Sequence, residues 1–387
     1  MKTLVRARAL TALLALLAFS PSASVGSAIL VHAAPLLYIT NQDDDTVTVV
    51  DTGSNLVVAT IPVGNAPQGP AVLPDGSAVY VPAAGDGTVA VIDASTNMVV
   101  GTITVGSDPL DIAPHPDGST VYVTNAVDNT VSVISTATNA VAATVAVGSI
   151  PVGIEVSPDG SWVYVTNRGA GTVSIIATAT NTLVDTVPAG NSPNDVVFHP
   201  SGLTIYVADL VGNTVPVLYE ATNAIVDTVA VGSASCAAWM HPNGSIAYVS
   251  NLNDGTLSVI DTATNAVTAT VTVGNQPCSL AVHPDGSAVY VTNFGDDTVS
   301  VVDTATNMVT DTIAVGNGPI GAAIGPLALA VGGSVTGLTP VGVVCRNVTT
   351  AQTIQFQTSA TSWNCEAAGF TVNPGDTIRM AVQGTAN

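Results

Sequence analysis

The sequence contains little charge, and almost none of it is positive: 6 lysine and arginine residues stand against 27 acidic residues in 387. Nucleic-acid binding requires a basic face, and too few basic residues are present to build one. Aromatic residues make up 4% of the chain, and glutamate and lysine are too rare for a coiled coil. Disorder is excluded because 47% of the residues are hydrophobic. These absences leave an acidic, β-rich globular chain that is large enough for one big domain or two.

Residues 1–34 have the features of a secretory signal peptide. Basic residues precede a short apolar stretch from Ala9 to Phe19, and small residues follow it. Cleavage after Ala28 or after Ala33 fits the pattern, and the later site is favoured because the regular sequence begins at Leu36. An uncleaved anchor is the alternative, although the stretch is short for a membrane span. No later segment has 18 uninterrupted apolar residues, so we expect no membrane span.

Removal of this segment makes the chain more acidic. The segment contains three of the six basic residues and no acidic residue. The remainder therefore carries three arginines against 27 acidic residues, a net charge of −24. We expect this acidic protein to be secreted, periplasmic or bound to the cell surface.

The dominant feature of the sequence is an internal repeat, which predicts the architecture more directly than local propensity does. Seven tyrosines mark it, and each lies 42 positions after the one before. The repeats extend to about Val331. The marker residues are Tyr38, Tyr80, Tyr122, Tyr164, Tyr206, Tyr248 and Tyr290.

Each repeat contains four short strands separated by turns. In the last repeat, residues 290–293 form one predicted strand, 298–303 the next, with a period of two, and 308–316 the third. The fourth is a short apolar strand that ends before a Pro-Asp-Gly or similar turn. Four strands in about 40–45 residues are typical of a propeller blade, and the 3.6-residue period of helical repeats is absent. We therefore predict an all-β fold, a seven-bladed β-propeller with four-stranded blades.

One four-residue string identifies a family resemblance. YVTN stands intact at Tyr122, Tyr164 and Tyr290, and occurs as YITN, YVPA, YVAD or YVSN in the other repeats. On these strings the repeats resemble the YVTN family of β-propeller repeats over about three quarters of the chain. The resemblance implies the fold, but its functional implications are broad. Relatives include cell-surface proteins, proposed binding proteins and distant seven-bladed enzymes.

The ends of the repeat region are expected to meet in one blade. The first repeat lacks an inner strand, and residues 320–324 supply one after the last repeat, which closes the ring. This assigns residues 35–331 to the propeller. From Gly332 the period stops, and residues 332–387 are expected to form a small β-sandwich-like module. We expect a disulfide between Cys345 and Cys365, because small secreted domains usually need one.

The other two cysteines occupy one repeat position. Cys236 and Cys278 fall at the predicted start of the inner strand in consecutive repeats. If this ring has a radius of about 7 Å, neighbours lie about 6 Å apart, within the Cα range of a disulfide. We expect a disulfide between blades; an unpaired structural pair and a metal or redox site are the alternatives.

Histidines and aspartates recur in predicted turns. The aspartate runs 43–45 and 296–297 are expected to bond turn backbone, with Ca²⁺ binding as the alternative. The histidines are expected to be turn residues as well, with metal binding as the alternative. No cofactor is predicted. The histidines of the repeats, each followed by proline, are His115, His199, His241 and His283.

Departures from the repeat near the predicted axis are the candidate ligand-binding residues. Arg168 is the only basic residue of the repeats and suits a carboxylate ligand or an ion pair with Asp195. Glu155 replaces alanine or valine in a predicted inner strand. The candidates are Glu155, Arg168, Asp111, Asp195, Asn194 and Trp239.

No catalytic set is recognisable in the sequence. Every histidine of the repeats occupies the same turn, and there is no GxSxG string or phosphate loop. We therefore expect a secreted, non-enzymatic binding or structural module that presents an acidic loop face to a protein, glycan or surface partner. The alternative is a lactonase-like hydrolase or lyase, with an axial metal held by Glu155, Asp111 and Asp195. Only the resemblance of fold supports this alternative.

Overall fold

The computed structural model describes residues 29–326, 328–334, 341–347, 353–358, 362–364 and 378–383. The regular elements of this part of the chain are β-strands, and it contains no helix long and apolar enough to cross a membrane. The chain divides into two compact units, one of residues 35–326 and one formed from the chain on either side.

The second unit contains two three-stranded sheets. In one, Ala328–Ser334 pairs with both Ile29–Ala33 and Ser362–Asn364. In the other, Val341–Asn347 pairs with both Thr353–Thr358 and Ile378–Gln383. The strand Ile29–Ala33 lies inside the segment predicted to be a signal peptide. Cys365, and with it the predicted disulfide to Cys345, lies outside the described residues.

The unit of residues 35–326 is a seven-bladed β-propeller, as predicted, and each blade is a four-stranded antiparallel sheet. Blades are numbered along the chain, and their strands follow from the innermost outward. Blade 1 comprises Pro319–Ile324, Leu36–Asn41, Thr46–Asp51 and Leu56–Pro62; blade 2 Ala71–Val72, Ala78–Ala83, Thr88–Asp93 and Met98–Thr104; blade 3 Pro109–Pro114, Thr120–Asn125, Thr130–Ser135 and Ala140–Ala146; and blade 4 Pro151–Val156, Trp162–Asn167, Thr172–Ala177 and Thr182–Pro188. Blade 5 comprises Pro193–Phe198, Thr204–Asp209, Thr214–Tyr219 and Ala224–Ala230; blade 6 Ser235–Met240, Ile246–Asn251, Thr256–Asp261 and Ala266–Thr272; and blade 7 Pro277–Val282, Ala288–Asn293, Thr298–Asp303 and Met308–Ala314.

The ring closes through blade 1. Its innermost strand comes from the end of the repeat region, and Leu37 lies opposite Ile324 in the antiparallel register. The predicted closure is therefore confirmed, although most inner strands begin one residue earlier than predicted, at a proline. The inner strand of blade 2 is reduced to two residues and a bridge between Pro67 and Ala83. Pro70 next to this strand has no N–H group to donate, which limits pairing there.

The hydrophobic core lies between blades rather than within one central layer. Between blades 3 and 4, for example, Tyr122 and Val133 pack with Ile154, Val163 and Ile176. The second and third strands of a blade are buried on both faces because each sheet is covered by two neighbours. The period of two in the third strand therefore does not separate a core face from a solvent face.

The YVTN string forms bonds both within a blade and to the next one. In blade 4, the hydroxyl of Tyr164 donates a hydrogen bond of 2.5 Å to Oδ1 of Asn223 in blade 5. Asn223 has a φ of 54°, a left-handed conformation that asparagine tolerates. Thr166 donates to the backbone oxygen of Asn194 at 3.1 Å. Asn167 donates to the hydroxyls of two residues in its own blade, at 3.0 and 2.9 Å. The string therefore persists because it joins neighbouring blades.

Replacing Tyr164 with phenylalanine is expected to lower the free energy of unfolding by about 1 kcal/mol, because Oδ1 of Asn223 loses its donor. Denaturant unfolding measures the change. Tyr219→Phe is the matched control, since that ring is 38% exposed and lies outside the repeated tyrosine position. Equal effects of the two substitutions would contradict this account.

The turn residues also connect neighbouring blades. Nε2 of His115 lies 2.9 Å from the backbone oxygen of Gly160 in the next blade, and His241 makes the equivalent contact with Gly286 at 3.0 Å. Asp44 accepts hydrogen bonds of 2.7 and 2.8 Å from the backbone and side-chain nitrogens of Asn317. The Ca²⁺ alternative for the aspartate runs remains a prediction.

Candidate functional site

A cavity of about 760 Å³ lies along the propeller axis, and residues from the inner strands of all seven blades line it. The candidate residues converge on this cavity, together with Cys236 and Cys278. The sequence placed them near the predicted axis without showing that they share one pocket, and their binding role remains a prediction. The six candidates in its wall are Glu155, Arg168, Asp111, Asp195, Asn194 and Trp239.

The polar side chains form three levels along the inner strands. Strands rise about 3.3 Å per residue, so the first and third levels are about 10 Å apart. Trp239, 36% exposed, contributes an apolar wall at the third level. The first level contains Asn194, Cys236 and Cys278, the second Asp111, Asp195 and Ser279, and the third Glu155 and Trp239.

The first level is a chain of contacts across four consecutive blades. Nη2 of Arg168 in blade 4 donates to Oδ1 of Asn194 in blade 5. Nδ2 of Asn194 donates to the backbone oxygen of Cys236 in blade 6 at 2.6 Å. Sγ of Cys236 lies 3.4 Å from Sγ of Cys278 in blade 7. Within the described chain Arg168 forms no ion pair with Asp195, so the prediction of that ion pair is wrong.

Asp209 supports the first level, and it was missed at the sequence level. It replaces the asparagine of the YVTN string in blade 5. Its two carboxylate oxygens accept hydrogen bonds from the backbone nitrogens of Asn191 and Ser192, at 2.8 and 2.7 Å. These bonds hold the loop that leads directly to Asn194. The departure from YVTN in one repeat was the signal that could have revealed this role.

The two aspartates of the second level connect neighbouring blades. Asp111 accepts a hydrogen bond of 3.1 Å from the backbone nitrogen of Ile154, and Asp195 accepts one of 2.9 Å from Ala238. Ser279 uses its hydroxyl in the same way toward blade 1. Each aspartate also accepts a hydrogen bond from the nitrogen of the residue that follows it. These residues therefore have a structural role beside any chemical one.

The metal triad of the alternative hypothesis is not assembled. Glu155 lies a level away from Asp111 and Asp195 along the inner strands. Across the part of the chain that the structure describes, no three histidine, cysteine or acidic side chains are grouped to hold a metal ion. The three carboxyl groups share the cavity, but the prediction that they form a ligand set is wrong.

The environment of the cavity raises the pKa of its carboxyl groups by different amounts. Burial raises the pKa of Asp195 to about 6. Burial, followed by repulsion from Asp195 and Asp111, raises the pKa of Glu155 to about 8. Burial and the charge of Asp195 also raise the pKa of Asp111. At pH 7 the cavity therefore offers an ionised Asp195 at the second level and a protonated Glu155 at the third, which are a base and an acid.

The cysteines of the first level are free thiols in this structure. Cys236 is 8% exposed, whereas Cys278 is more accessible from the cavity. The sulfurs are in contact but not bonded, so the disulfide between blades remains a prediction for the oxidised protein.

The blades, the ring closure and the axial cavity define the class of the protein as a seven-bladed β-propeller. The family model described as lactonase, 7-bladed β-propeller, matches residues 70–224, from the inner strand of blade 2 into blade 5. No curated protein matches the sequence.

Solved structures show the same fold at low sequence identity. A candidate 6-phosphogluconolactonase from Bacteroides uniformis is 16% identical, with a TM-score of 0.64, over 76% of this chain and 99% of that chain. A candidate 6-phosphogluconolactonase from Bacteroides fragilis is 15% identical, with a TM-score of 0.64, over 76% and 98%. Hydrazine synthase of Kuenenia stuttgartiensis is 20% identical, with a TM-score of 0.62, over 76% and 96%. These similarities establish the fold.

The expectation of a non-enzymatic binding or structural module is contradicted by these comparisons. The match of residues 70–224 to a family model described as lactonase favours the hydrolase alternative instead. The expectation relied on the absence of a recognisable catalytic set in the sequence. The carboxyl groups of Glu155, Asp111 and Asp195 line the axial cavity on inner strands, where no catalytic motif marks them.

Proposed function

We propose that the protein is a hydrolase that opens a lactone ring in the axial cavity. One observation carries the proposal: the carboxyl groups of Glu155 and Asp195 line one axial cavity, and burial raises the pKa of Glu155 further than that of Asp195. The lactonase family match over residues 70–224 supports it. Lactone opening needs a base to activate water and an acid to protonate the departing ring oxygen, and this pair supplies both.

Each group has a defined task in this proposal. Asp195, ionised above pH 6, removes a proton from the attacking water through a lone pair that its backbone bonds leave free. Glu155 donates its proton to the ring oxygen as the acyl–oxygen bond breaks, and the product is a hydroxy acid. Arg168 binds an oxygen substituent of the substrate at the first level. Trp239 supplies an apolar wall for the ring.

The charges of the cavity favour a neutral or singly charged lactone. One guanidinium, from Arg168, faces three carboxyl groups, from Asp111, Glu155 and Asp195. A phosphate dianion would enter a cavity with a net negative charge whenever these groups are ionised. We therefore propose that unphosphorylated lactones are better substrates than phosphorylated ones.

Proton release in a pH-stat tests the proposed activity with glucono-δ-lactone, γ-butyrolactone and 6-phosphogluconolactone. The purified full chain is expected to accelerate opening of at least one lactone, with the neutral sugar lactone ahead of its phosphorylated form. Absence of acceleration for all three would overturn the proposal. Preference for the phosphorylated lactone would overturn only the argument from charge.

Arg168→Met is expected to raise KM by about tenfold with a smaller change in kcat, because the substitution removes a binding contact rather than the acid or the base. Steady-state kinetics on the best lactone measures the split. Arg168→Lys is the matched control and should recover part of the loss, since it restores charge without the planar geometry. An unchanged KM in Arg168→Met would contradict the assignment.

We also propose that the repeats belong to the YVTN class and that the protein is exported. The contacts of Tyr164, Thr166 and Asn167 support the assignment to the YVTN class.

The structure also bears on where the signal peptide would be cleaved. Cleavage after Ala28 would retain the strand Ile29–Ala33, which pairs with Ala328–Ser334. We therefore propose the earlier cleavage site, and N-terminal sequencing of the exported protein should begin at Ile29. A sequence beginning at Ala34 would contradict this proposal.

A further inference from the structure

We propose that Cys236 and Cys278 form a reactive dithiol that exchanges with small disulfides entering the axial cavity. In this inference Cys278 is the attacking thiol and Cys236 is the resolving thiol. The activity is separate from lactone opening, because neither sulfur has a task in that reaction.

The geometry of the pair supplies the first argument. The sulfurs lie 3.4 Å apart on inner strands of adjacent blades, so a bond between them needs only a small movement. Both residues line the cavity of about 760 Å³, which has room for a small reagent. Their exposure is unequal: Cys236 is 8% exposed and Cys278 more, so a reagent meets Cys278 first.

The polar groups around the pair supply the second argument. Arg168 is the only basic residue of the propeller, and a hydrogen bond to Asn194 holds its guanidinium at this level. Nε of Arg168 is buried and has no hydrogen-bond partner in the described part of the chain, so it remains free to donate. Nδ2 of Asn194 lies 3.6 Å from Sγ of Cys236. Donors and positive charge beside thiols are the environment of reactive rather than structural cysteines.

The two thiols also differ in acidity. The hydrogen bond from Cys236 lowers the pKa of Cys278, and the charge of Arg168 lowers it further, while burial and the charge of Asp195 oppose the change. The same hydrogen bond, then burial, raises the pKa of Cys236. The more accessible thiol, Cys278, is therefore also the one that ionises more readily. Its exposure and its lowered pKa both indicate that Cys278 attacks first and that Cys236 resolves the mixed disulfide.

The exchange is balanced in two steps. The thiolate of Cys278 attacks one sulfur of a small disulfide, the S–S bond of the reagent breaks, and the first thiolate leaves. Cys236 then loses its proton to solvent and attacks Sγ of Cys278, and the second thiolate leaves. The two cysteines are oxidised to one disulfide, and one small disulfide is reduced to two thiols. The small disulfide is the oxidant.

The experiment uses the reduced full chain with 2-hydroxyethyl disulfide, which is neutral, and peptide mass mapping to separate this pair from Cys345 and Cys365. The wild type is expected to form the Cys236–Cys278 bond. Cys236→Ser should stop at a mixed disulfide on Cys278. In Cys278→Ser, modification of Cys236 should be slower by at least about tenfold. Thermal melting checks that both variants remain folded.

Arg168→Met provides a second test, because the pH dependence of the reaction at Cys278 should change only if the guanidinium activates this thiol. Loss of the guanidinium should shift the midpoint of the rate–pH profile of Cys278 to higher pH and slow its reaction several-fold at pH 7. Equal, slow reaction of both cysteines would overturn the proposal. A bond between Cys236 and Cys278 that dithiothreitol reduces only after unfolding would also overturn it, because the pair would then be a structural staple.

Discussion

Glu155→Gln is expected to lower kcat/KM for lactone opening by at least about 100-fold, the usual contribution of a general acid. Glutamine keeps the shape of the side chain and can donate a hydrogen bond, but it cannot transfer a proton to the departing ring oxygen. The rate–pH profile of the wild type should be bell-shaped. Activity should fall below about pH 6, as Asp195 becomes protonated, and above about pH 8, as Glu155 ionises.

Glu220→Gln is the matched control for this loss. Glu220 is the only other glutamate of the propeller, and it follows the third strand of blade 5, outside the cavity. The control substitution removes the same carboxyl group from the same protein and should leave kcat/KM unchanged. Equal activity of Glu155→Gln and the wild type would remove Glu155 from the reaction. A profile without the fall near pH 8 would do the same.

Glu155→Gln is also expected to stabilise the protein at alkaline pH, by about 2–4 kcal/mol at pH 9. The pKa of Glu155 is raised from 4.5 to about 8 in the folded protein, so folding favours its protonated form. The resulting stability is fully present below pH 4.5 and is lost as the pH rises toward 8. A tenfold change in proton affinity corresponds to about 1.4 kcal/mol, and contact of the carboxyl group with solvent reduces the full effect. Glutamine carries no charge at any pH and avoids this loss.

Thermal melting between pH 4 and pH 9 measures the difference in stability. Glu155→Gln should melt at least about 4 °C above the wild type at pH 9, and the two should coincide at pH 4. Glu220→Gln should follow the wild type throughout. A constant difference between Glu155→Gln and the wild type at all pH values would contradict the role of ionisation. Lower activity with higher alkaline stability is the signature expected of a functional acid.

The sequence was sufficient to predict the propeller because the period of 42 residues is strict. Seven tyrosines at one interval determine the number of blades, and the unpaired strands at the two ends of the repeat region determine the closure. Strand limits were less accurate, since the proline before most of the predicted inner strands still pairs, as Pro151 does with Asn167. The short inner strand of blade 2 depended on Pro70, a local substitution that the repeat pattern hides.

The sequence indicated which residues lie near the axis, but not which of them share a pocket or a hydrogen bond. Alignment by 42 residues places side chains at equivalent positions around one axis, which put Asn194 and the two cysteines at one ring position and made the cysteines neighbours. Alignment cannot show which hydrogen bonds their atoms form. Asp111 and Asp195 were candidate ligand-binding residues, and metal ligands only in the alternative hypothesis, yet their oxygens accept backbone hydrogen bonds from the following blade. Acid–base character depends on burial, which periodicity does not reveal.

The closure of blade 1 has a consequence for where the polypeptide can begin and end within the ring. Its inner strand and its second strand are hydrogen-bonded neighbours, although they come from opposite ends of the repeat region. Every other blade is continuous and has the same arrangement. The ring therefore does not depend on where the polypeptide begins, and a circular permutant opened at the turn of another blade would contain the same sheets. The axial residues would keep their places, because the ring rather than the chain end positions them.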